Sequence, residues 1–326
     1  MTCCDLWHNT YVRVIVLGTL IAVGALSFVA FAQAPAAEKP KTVSIQYMPG
    51  LSNEKKLKDP FAATYSTVYL MTGGGGHIIG FESDKGMVLI NTMAPGWAKA
   101  IKDKLELITQ EPVTTIINTS PDAEYTGGNA EFQDAVTIAA HAKAKTAMEK
   151  SGAFKGAAAK FLPNKTFTDT LTLFEGRNAV HLYHFGAAHT GGDTVVIIPT
   201  YAAAYLGDLF PAKETPVIDT ANGGSAVAFA DTLARAAEIL TKWDIDYVVP
   251  GKVPVVNNRA RLFSRKDVQE YIDFNRDFLA AAKAAMQAGK TVDEAAATLA
   301  LPDKYKAYGM THARANIQAI YNELKK

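Results

Sequence analysis

Polar and apolar positions alternate in two blocks of this chain, and each block gives way to segments of helical period. From about 64 to 92, "TYSTVYLMT" alternates and "GGGG" punctuates. "HIIGFES" and "GMVLINT" then flank an Asp84-Lys85-Gly86 turn, the pattern of hairpins. Trp97, Ile101, Leu105 and Ile108 recur at helical spacing between Pro95 and Gln110. A strand "VTTIIN" leads into the polar stretch "NTSPDAEYTGGN", residues 118–129. Next come a short helix over 129–134, a strand "AVTIAAH" and a helix "AKAKTAMEKSG" stopped at Gly152.

Between 166 and 210 four more strands are predicted, in "TLTLF", "AVHLYHF", "DTVVIIP" and "AAAYLGD". Leu233, Ala237 and Leu240 share one face of a helix between Ser225 and Trp243, and "YVVPG" is a strand ending in a turn. After about 257 the period is helical, with Ser264 as a cap and Thr291 and Glu294 at capping-box spacing. Residues 35–60 are rich in Pro, Lys and Glu and read as a linker with one strand at "TVSIQYM". Two strand-rich blocks, 64–140 and 166–250, that each finish in helices predict two β-α halves with helices outside two sheets.

The length of 326 residues and the 48% hydrophobic content suffice for a full core, and the net charge of +1 argues against nucleic acid as a partner. Residues 14–31 are continuously apolar or small, preceded by Arg13 and followed by Ala32-Gln33-Ala34. A cation, an apolar run and an A-x-A site predict a signal peptide over 1–34 and a periplasmic or secreted protein; an uncleaved membrane anchor is the alternative. Both cysteines, Cys3 and Cys4, precede that run, so a cleaved chain has neither disulfide nor thiolate ligand.

Four strand ends carry polar groups, and each has a bland reading. Ser120, Asp122, Glu124 and Tyr125 could form a turn; His189, in "GAAHTGGD", a hydrogen-bonded loop histidine; Asp208 a cap; Lys252 a surface lysine. Alternation in "HLYHF" makes His181 and His184 strand-surface residues. "TGGGGH" lacks the Lys-Ser/Thr and the helix of a phosphate loop, so it reads as a flexible loop beside a pocket.

The order of these motifs resembles the metallo-β-lactamase superfamily. "GGGGHIIGFESDKGMVLINT", "TTIINT…TGGN", "HTGGD", "LGD", "DTANGGS" and "VVPG" carry the likeness over about 64–256. It implies an α/β fold, a four-layer αββα sandwich over 61–256, with 257–326 as a C-terminal helical extension. The family's first metal motif reads Thr-His-x-His-x-Asp-His-x-Gly-Gly-Asn. Here Ser120 and Asp122 stand for its first two histidines, Glu124 for the aspartate and Tyr125 for the third histidine. His189 and Asp208 match the next two ligands, Lys252 replaces the last histidine, and Asn91 stands where many members have aspartate.

A serine hydroxyl and a lysine ammonium are poor zinc ligands, which argues against a two-zinc centre. Asp122, Glu124 and Asp208 would gather three negative charges beside His189, a cost that must be offset. Two arrangements do so. In one, Lys252 pairs with Asp208 and Glu124 and no metal is present. In the other, Asp122, Glu124, His189 and Asp208 hold one divalent cation, Zn, Mn or Fe.

The implied function is a hydrolase of a small lactam, lactone, thioester or other ester. Glu124 or Asp122 would hold water, and Lys252 or Tyr125 would stabilise an oxyanion. Ser120, Thr190 and His77 are expected to line the pocket. The alternative is a binding or accessory protein without turnover, in which Lys252 replaces a metal.

Overall fold

Both alternating blocks form sheets, and both sheets are apolar on two faces. The structure is a computed structural model that describes residues 41–47, 68–74, 76–135, 137–252, 255–256 and 259–325. The expected signal peptide and most of the expected linker lie outside the described residues. Among the described residues, no helix is long and apolar enough to cross a membrane.

The first sheet has strand order β1 (Ser44–Tyr47), β2 (Val68–Gly73), β3 (Gly76–Ser83), β4 (Gly86–Ile90), β5 (Val113–Ile117), β6 (Thr137–His141) and β7 (Lys165–Phe167). β1 to β4 pair antiparallel, β2 to β4 through the expected hairpins, and β4 to β7 pair parallel. Parallel neighbours need crossovers, which α1 (Ala98–Leu105), α2 (Ala123–Thr126) and α3 (Ala142–Ser151) supply. The second sheet runs β12 (Tyr247–Pro250), β11 (Ala203–Gly207), β10 (Val195–Ile198), β9 (Val180–Tyr183) and β8 (Thr170–Leu173). Here α4 (Phe229–Lys242) is the crossover between the parallel pair β11 and β12.

Period two sorts the side chains into layers. Leu70, Phe81, Val88 and Ile117 face Leu182, Val196, Tyr205 and Val249 between the sheets. Their sequence neighbours Met71, Leu89 and Ile116 turn outward to α1 and α3. Val195, Ile197, Leu206 and Val248 turn outward to α4, α5 (Arg265–Gln287) and α7 (Ala313–Leu324), with α6 (Val292–Ala297) between those two helices. The layers are therefore helix, sheet, sheet, helix. Ser264 and Thr291 cap α5 and α6 in reciprocal capping boxes with Asp267 and Glu294.

Three details differ from the expected elements. α1 ends at Leu105, because Ile108 N–H closes a tight turn on the Leu105 carbonyl and Leu107 points into solvent. The segment after Asn129 is a three-residue 3-10 turn, and Ala123–Thr126 makes a helical turn where a polar loop was expected. His77 is no pocket residue: it is fully buried in β3, with Nδ1 on the Thr72 hydroxyl at 2.9 Å.

One buried strut joins the sheets below the strand ends. Asn91, with φ 68°, accepts Thr119 N–H at 2.9 Å and donates to the Thr119 hydroxyl at 2.9 Å and the Tyr205 phenol at 3.2 Å. Tyr205 in turn donates to the His77 carbonyl at 2.8 Å. Removing that phenol leaves a buried carbonyl and amide short of a partner. Tyr205→Phe is expected to cost about 1–3 kcal/mol, read as a lower urea midpoint with unchanged slope; a midpoint shift near zero would refute the strut.

Candidate functional site

Side chains converge where β5, β11 and β12 end and β10 begins. After β5, Asn118 and Asn129 exchange amide hydrogen bonds at 2.8 and 3.2 Å, and the Thr92 hydroxyl donates to Asn129 at 2.9 Å. A Cβ on Gly128 would sit 2.4 Å from the Thr92 carbonyl, so the chain passes only as glycine. These contacts present Asp122 as the residue before α2 and turn Tyr125 inward. Before β10, the buried Asp193 carboxylate accepts Thr190 N–H at 2.8 Å and the Thr190 hydroxyl, which fixes the loop behind His189. Burial pushes the Asp193 carboxyl up to about 7, against the pull of His189 and the two Thr190 bonds.

The centre is His189, with both ring nitrogens committed. Nδ1 lies 2.8 Å from the Val217 carbonyl, which accepts only, so Nδ1 carries a proton. Nε2 faces Asp122 Oδ2 at 2.6 Å and Asp208 Oδ2 at 3.5 Å. A neutral ring would point its lone pair at carboxylate oxygens. Nε2 must therefore hold a second proton or a metal ion. Burial would lower the basicity of this imidazole. The Asp122 hydrogen bond and the charges of Asp208, Asp193 and Asp122 outweigh it and raise His189 to about 10. For Asp122, burial is outweighed by the His189 bond and charge, with Ser120 and Lys252 adding to them, and its carboxyl is held below the usual range.

Asp208 is the exception. Its Oδ1 accepts the Tyr125 phenol at 2.7 Å, but Oδ2 is buried without a hydrogen-bond partner among the described residues. Burial pushes this carboxyl up in spite of His189, Tyr125 and Lys252. Ligand atoms of Asp122, His189 and Asp208 lie within 4.8 Å of one another and form a group able to hold a metal ion. Two carboxylates and one imidazole, with one orphaned oxygen among them, fit a single divalent cation. They do not fit a pair of metals, because the neighbouring donors are already committed.

Among those neighbours, Glu124 is no member of the ligand group: its carboxylate pairs with the Lys252 ammonium. Both side chains are 43% exposed, so solvent screening leaves this pair worth at most ~1 kcal/mol. Lys252 makes no ion pair with Asp208; Tyr125 holds that carboxylate instead. Tyr125 is fully buried, and a Cβ on Gly251 would sit 2.1 Å from its hydroxyl, which places the phenol against the Pro-Gly turn rather than in the open. Burial and Asp208 raise the phenol well above its ordinary value, so it donates and does not ionise.

Ser120 and Thr190 are also buried, bonded to Asp122 and Asp193, and neither lines the cleft. His181 stacks on Trp243 and His184 on His141, and neither joins the ligand group.

The ligand group opens on a cleft of about 1090 Å³, whose wall includes Glu124, Lys252, Pro211, Val217, Asp219 and His312. Val217, Asp219 and His312 were not singled out from the sequence. Asp219 lies within "DTANGGS", but nothing in the local pattern marks the carbonyl of Val217. His312 sits in a short non-helical break, "YGMTH", inside a region of helical period.

The family profile described as metallo-beta-lactamase superfamily matches residues 63–252. The chain belongs to this superfamily. Two solved structures share the superfamily fold with it. The stereoselective inverting sec-alkylsulfatase Pisa1 from Pseudomonas sp. is 15% identical with a TM-score of 0.64, over 80% of this chain and 49% of that one. The chain thus spans about half the length of the alkylsulfatase. A metallo-beta-lactamase from Pontibacter korlensis is 18% identical with a TM-score of 0.53, over 65% of this chain and 96% of that one. No curated protein matches by sequence. All four strand ends that carry these polar groups fall within the matched residues.

In protein dialysed free of metal, His189 is expected to stay doubly protonated at neutral pH. Its folded value, about 10, lies above the ordinary 6.5. The stabilisation from its pairing is therefore complete below about 6.5 and lost as pH rises towards 10. A histidine C2-proton NMR titration checks this; a midpoint for His189 near or below the ordinary value would contradict it.

Proposed function

We propose that this protein is a one-metal hydrolase of the metallo-β-lactamase superfamily, acting outside the cytoplasm on a small molecule that carries an anionic group. The observation that carries the reading is the buried Asp208 Oδ2, which accepts no hydrogen bond among the described residues and faces His189 Nε2 at 3.5 Å. A buried carboxylate oxygen without a donor is costly, and a cation shared with Asp122 and His189 would satisfy it. Charge balance supports the same reading. One divalent cation and the Lys252 ammonium together cancel the three carboxylates of Asp122, Glu124 and Asp208, with His189 neutral.

A cation in this group would supply Lewis-acid polarisation of a substrate oxygen. The chain's own residues do the rest. Tyr125 and the Val217 carbonyl fix the Asp208 and His189 ligand atoms, so little reorganisation is needed when substrate arrives. Lys252 and Glu124 stand together on the cleft wall. The ammonium is placed to attract an anionic group or a developing oxyanion, and the carboxylate it releases can accept a proton from water. The cleft volume suits a small-molecule substrate. The lactam of one structural neighbour and the sulfate ester of the other join lactones, thioesters and other esters as candidate bonds. The extracytoplasmic location rests on the apolar run at 14–31 and the A-x-A site after it.

A second reading is favoured by one observation: Glu124 and Tyr125, expected in catalysis, are tied to Lys252 and Asp208. The pocket would then bind an anionic ligand without turning it over. Hydrolysis of a panel of esters, lactams and sulfate esters by the zinc- or manganese-loaded protein separates the two, with Lys252→Ala expected to lower kcat/KM for anionic substrates by roughly tenfold or more.

Cation binding itself makes a sharper prediction. Proton and metal compete for His189 Nε2, so loading at neutral pH is expected to release about one proton. Affinity should then rise about tenfold per pH unit up to pH 10. Titration calorimetry in buffers of different ionisation enthalpy reads this directly, and His189→Ala and Asp208→Asn should each abolish it. Failure to bind zinc, manganese or iron at any pH would overturn the one-metal reading.

A further inference from the structure

The segment 213–226 links β11 to α4 and wraps around His189. Its contacts on that side are specific. The Val217 carbonyl holds His189 Nδ1 at 2.8 Å, Asp219 N–H donates to the His189 carbonyl at 2.8 Å, and Ser225 N–H donates to the Ala188 carbonyl at 2.9 Å. The regular structure inside this segment is one 3-10 turn, Thr220–Asn222, capped by Asp219.

On its other side the same segment is stitched to the C-terminal helical region. Buried Asn316 of α7 donates to the Pro216 carbonyl at 2.9 Å, one residue before Val217. Glu323, at the other end of α7, accepts Ala226 N–H at 2.8 Å and the Ser225 hydroxyl. His312, the residue before α7, donates its N–H to the Thr215 hydroxyl at 2.9 Å and lines the cleft. Each tie to α7 thus falls on, or next to, a residue that lines the cleft or touches the His189 strand end. A buried amide such as Asn316, with its donor spent on a single carbonyl, is a directional device rather than packing.

We propose that α7 is a clamp of the metal site: Asn316, through Pro216, is a positioning residue for the Val217 carbonyl on His189 Nδ1, and Glu323, through Ser225, is one for the backbone at Ala188, and together they reserve Nε2 for the cation. This rests on the reading that Asp122, His189 and Asp208 hold one metal. Hydrogen-bond partners of a metal-bound histidine set its tautomer and ring orientation, and their loss weakens binding about 10- to 100-fold. The clamp acts one step further out, through the backbone that carries that partner. It also makes the C-terminal helices part of the site rather than an appendage to it.

The test is made on the full chain with two readouts, manganese or zinc affinity and, in metal-free protein, the Nδ1–H proton resonance of His189. Asn316→Leu keeps the volume and removes the donor. It is expected to weaken metal binding by roughly tenfold or more and to shift or broaden the Nδ1–H signal. Glu323→Ala should move both readouts in the same direction, and Glu323→Gln, which keeps one acceptor for Ala226 N–H and can donate to the Ser225 hydroxyl, should restore both. Variants that melt earlier yet keep wild-type affinity within about twofold and an unmoved Nδ1–H signal would reduce α7 to a merely structural element and overturn the clamp. If Asn316→Leu does not fold, the half-buried Glu323 pair decides alone. If wild-type protein binds neither metal, the cation reading falls, and the Nδ1–H signal in the variants still decides the clamp.

Discussion

A buried imidazole that must satisfy a carbonyl on one nitrogen and two carboxylates on the other sets the terms for everything around it. The Val217 carbonyl fixes the tautomer of His189, and Asp122 and Asp208 then demand positive charge at Nε2. Whether proton or metal supplies it, the oxygens on either side must stay where they are. Tyr125 holds Asp208, Ser120 touches Asp122, and the Thr190–Asp193 turn holds the loop that brings His189 in. Glu124 and Lys252 sit outside this set and cancel each other at the solvent edge. The site thus divides into a rigid, buried half that can bind a cation and an exposed, adjustable half that can meet a charged ligand.

The division lets the framework stand whatever residues occupy the strand tips. The strand ends are positioned by the two-sheet core and by backbone contacts such as Thr194 N–H to the Thr119 carbonyl and Gly251 N–H to the Gly207 carbonyl. None of these involves the side chain of a ligand. Asn91 and Tyr205 brace the sheets from below. Residues at the tips can therefore change without moving the frame, and likeness of fold to a sulfatase and to a β-lactamase says little by itself about the bond this chain acts on.

The strands were legible because both sheets are buried on two faces, so alternation and apolar runs mark them plainly. Both helix starts were legible, Ser264 as a cap and Thr291 with Glu294 three places on as a capping box; that Ser264 also shares a box with Asp267 came from the structure. The candidate ligands Asp122, His189 and Asp208 were found through motif order, since their separation of 19 and 67 residues carries no local signal. Other features escaped for physical reasons. His77 was read as a pocket residue because it follows glycines, but its place in β3 turns it inward. Glu124 was read as a ligand because it occupies a ligand position, yet α2 presents it towards Lys252. Val217 acts through its carbonyl, which every residue has, and sequence cannot distinguish one carbonyl from another.

The C-terminal helices show the same limit on a larger scale. The family match ends at Lys252, and helical period after 257 predicts only that those helices pack on something. What they pack on is the outer face of the second sheet and α4, where Tyr271 and Phe274 join a core with Phe229 and Leu233. That burial would follow from any amphipathic helices. It does not require Asn316 to be buried with its amide on the Pro216 carbonyl, nor His312 to line the cleft. Polar groups are seldom buried for packing alone, because an apolar residue of the same volume packs as well without the desolvation cost. Their presence at this contact, next to the one carbonyl that orients His189, is what makes the helices part of the site.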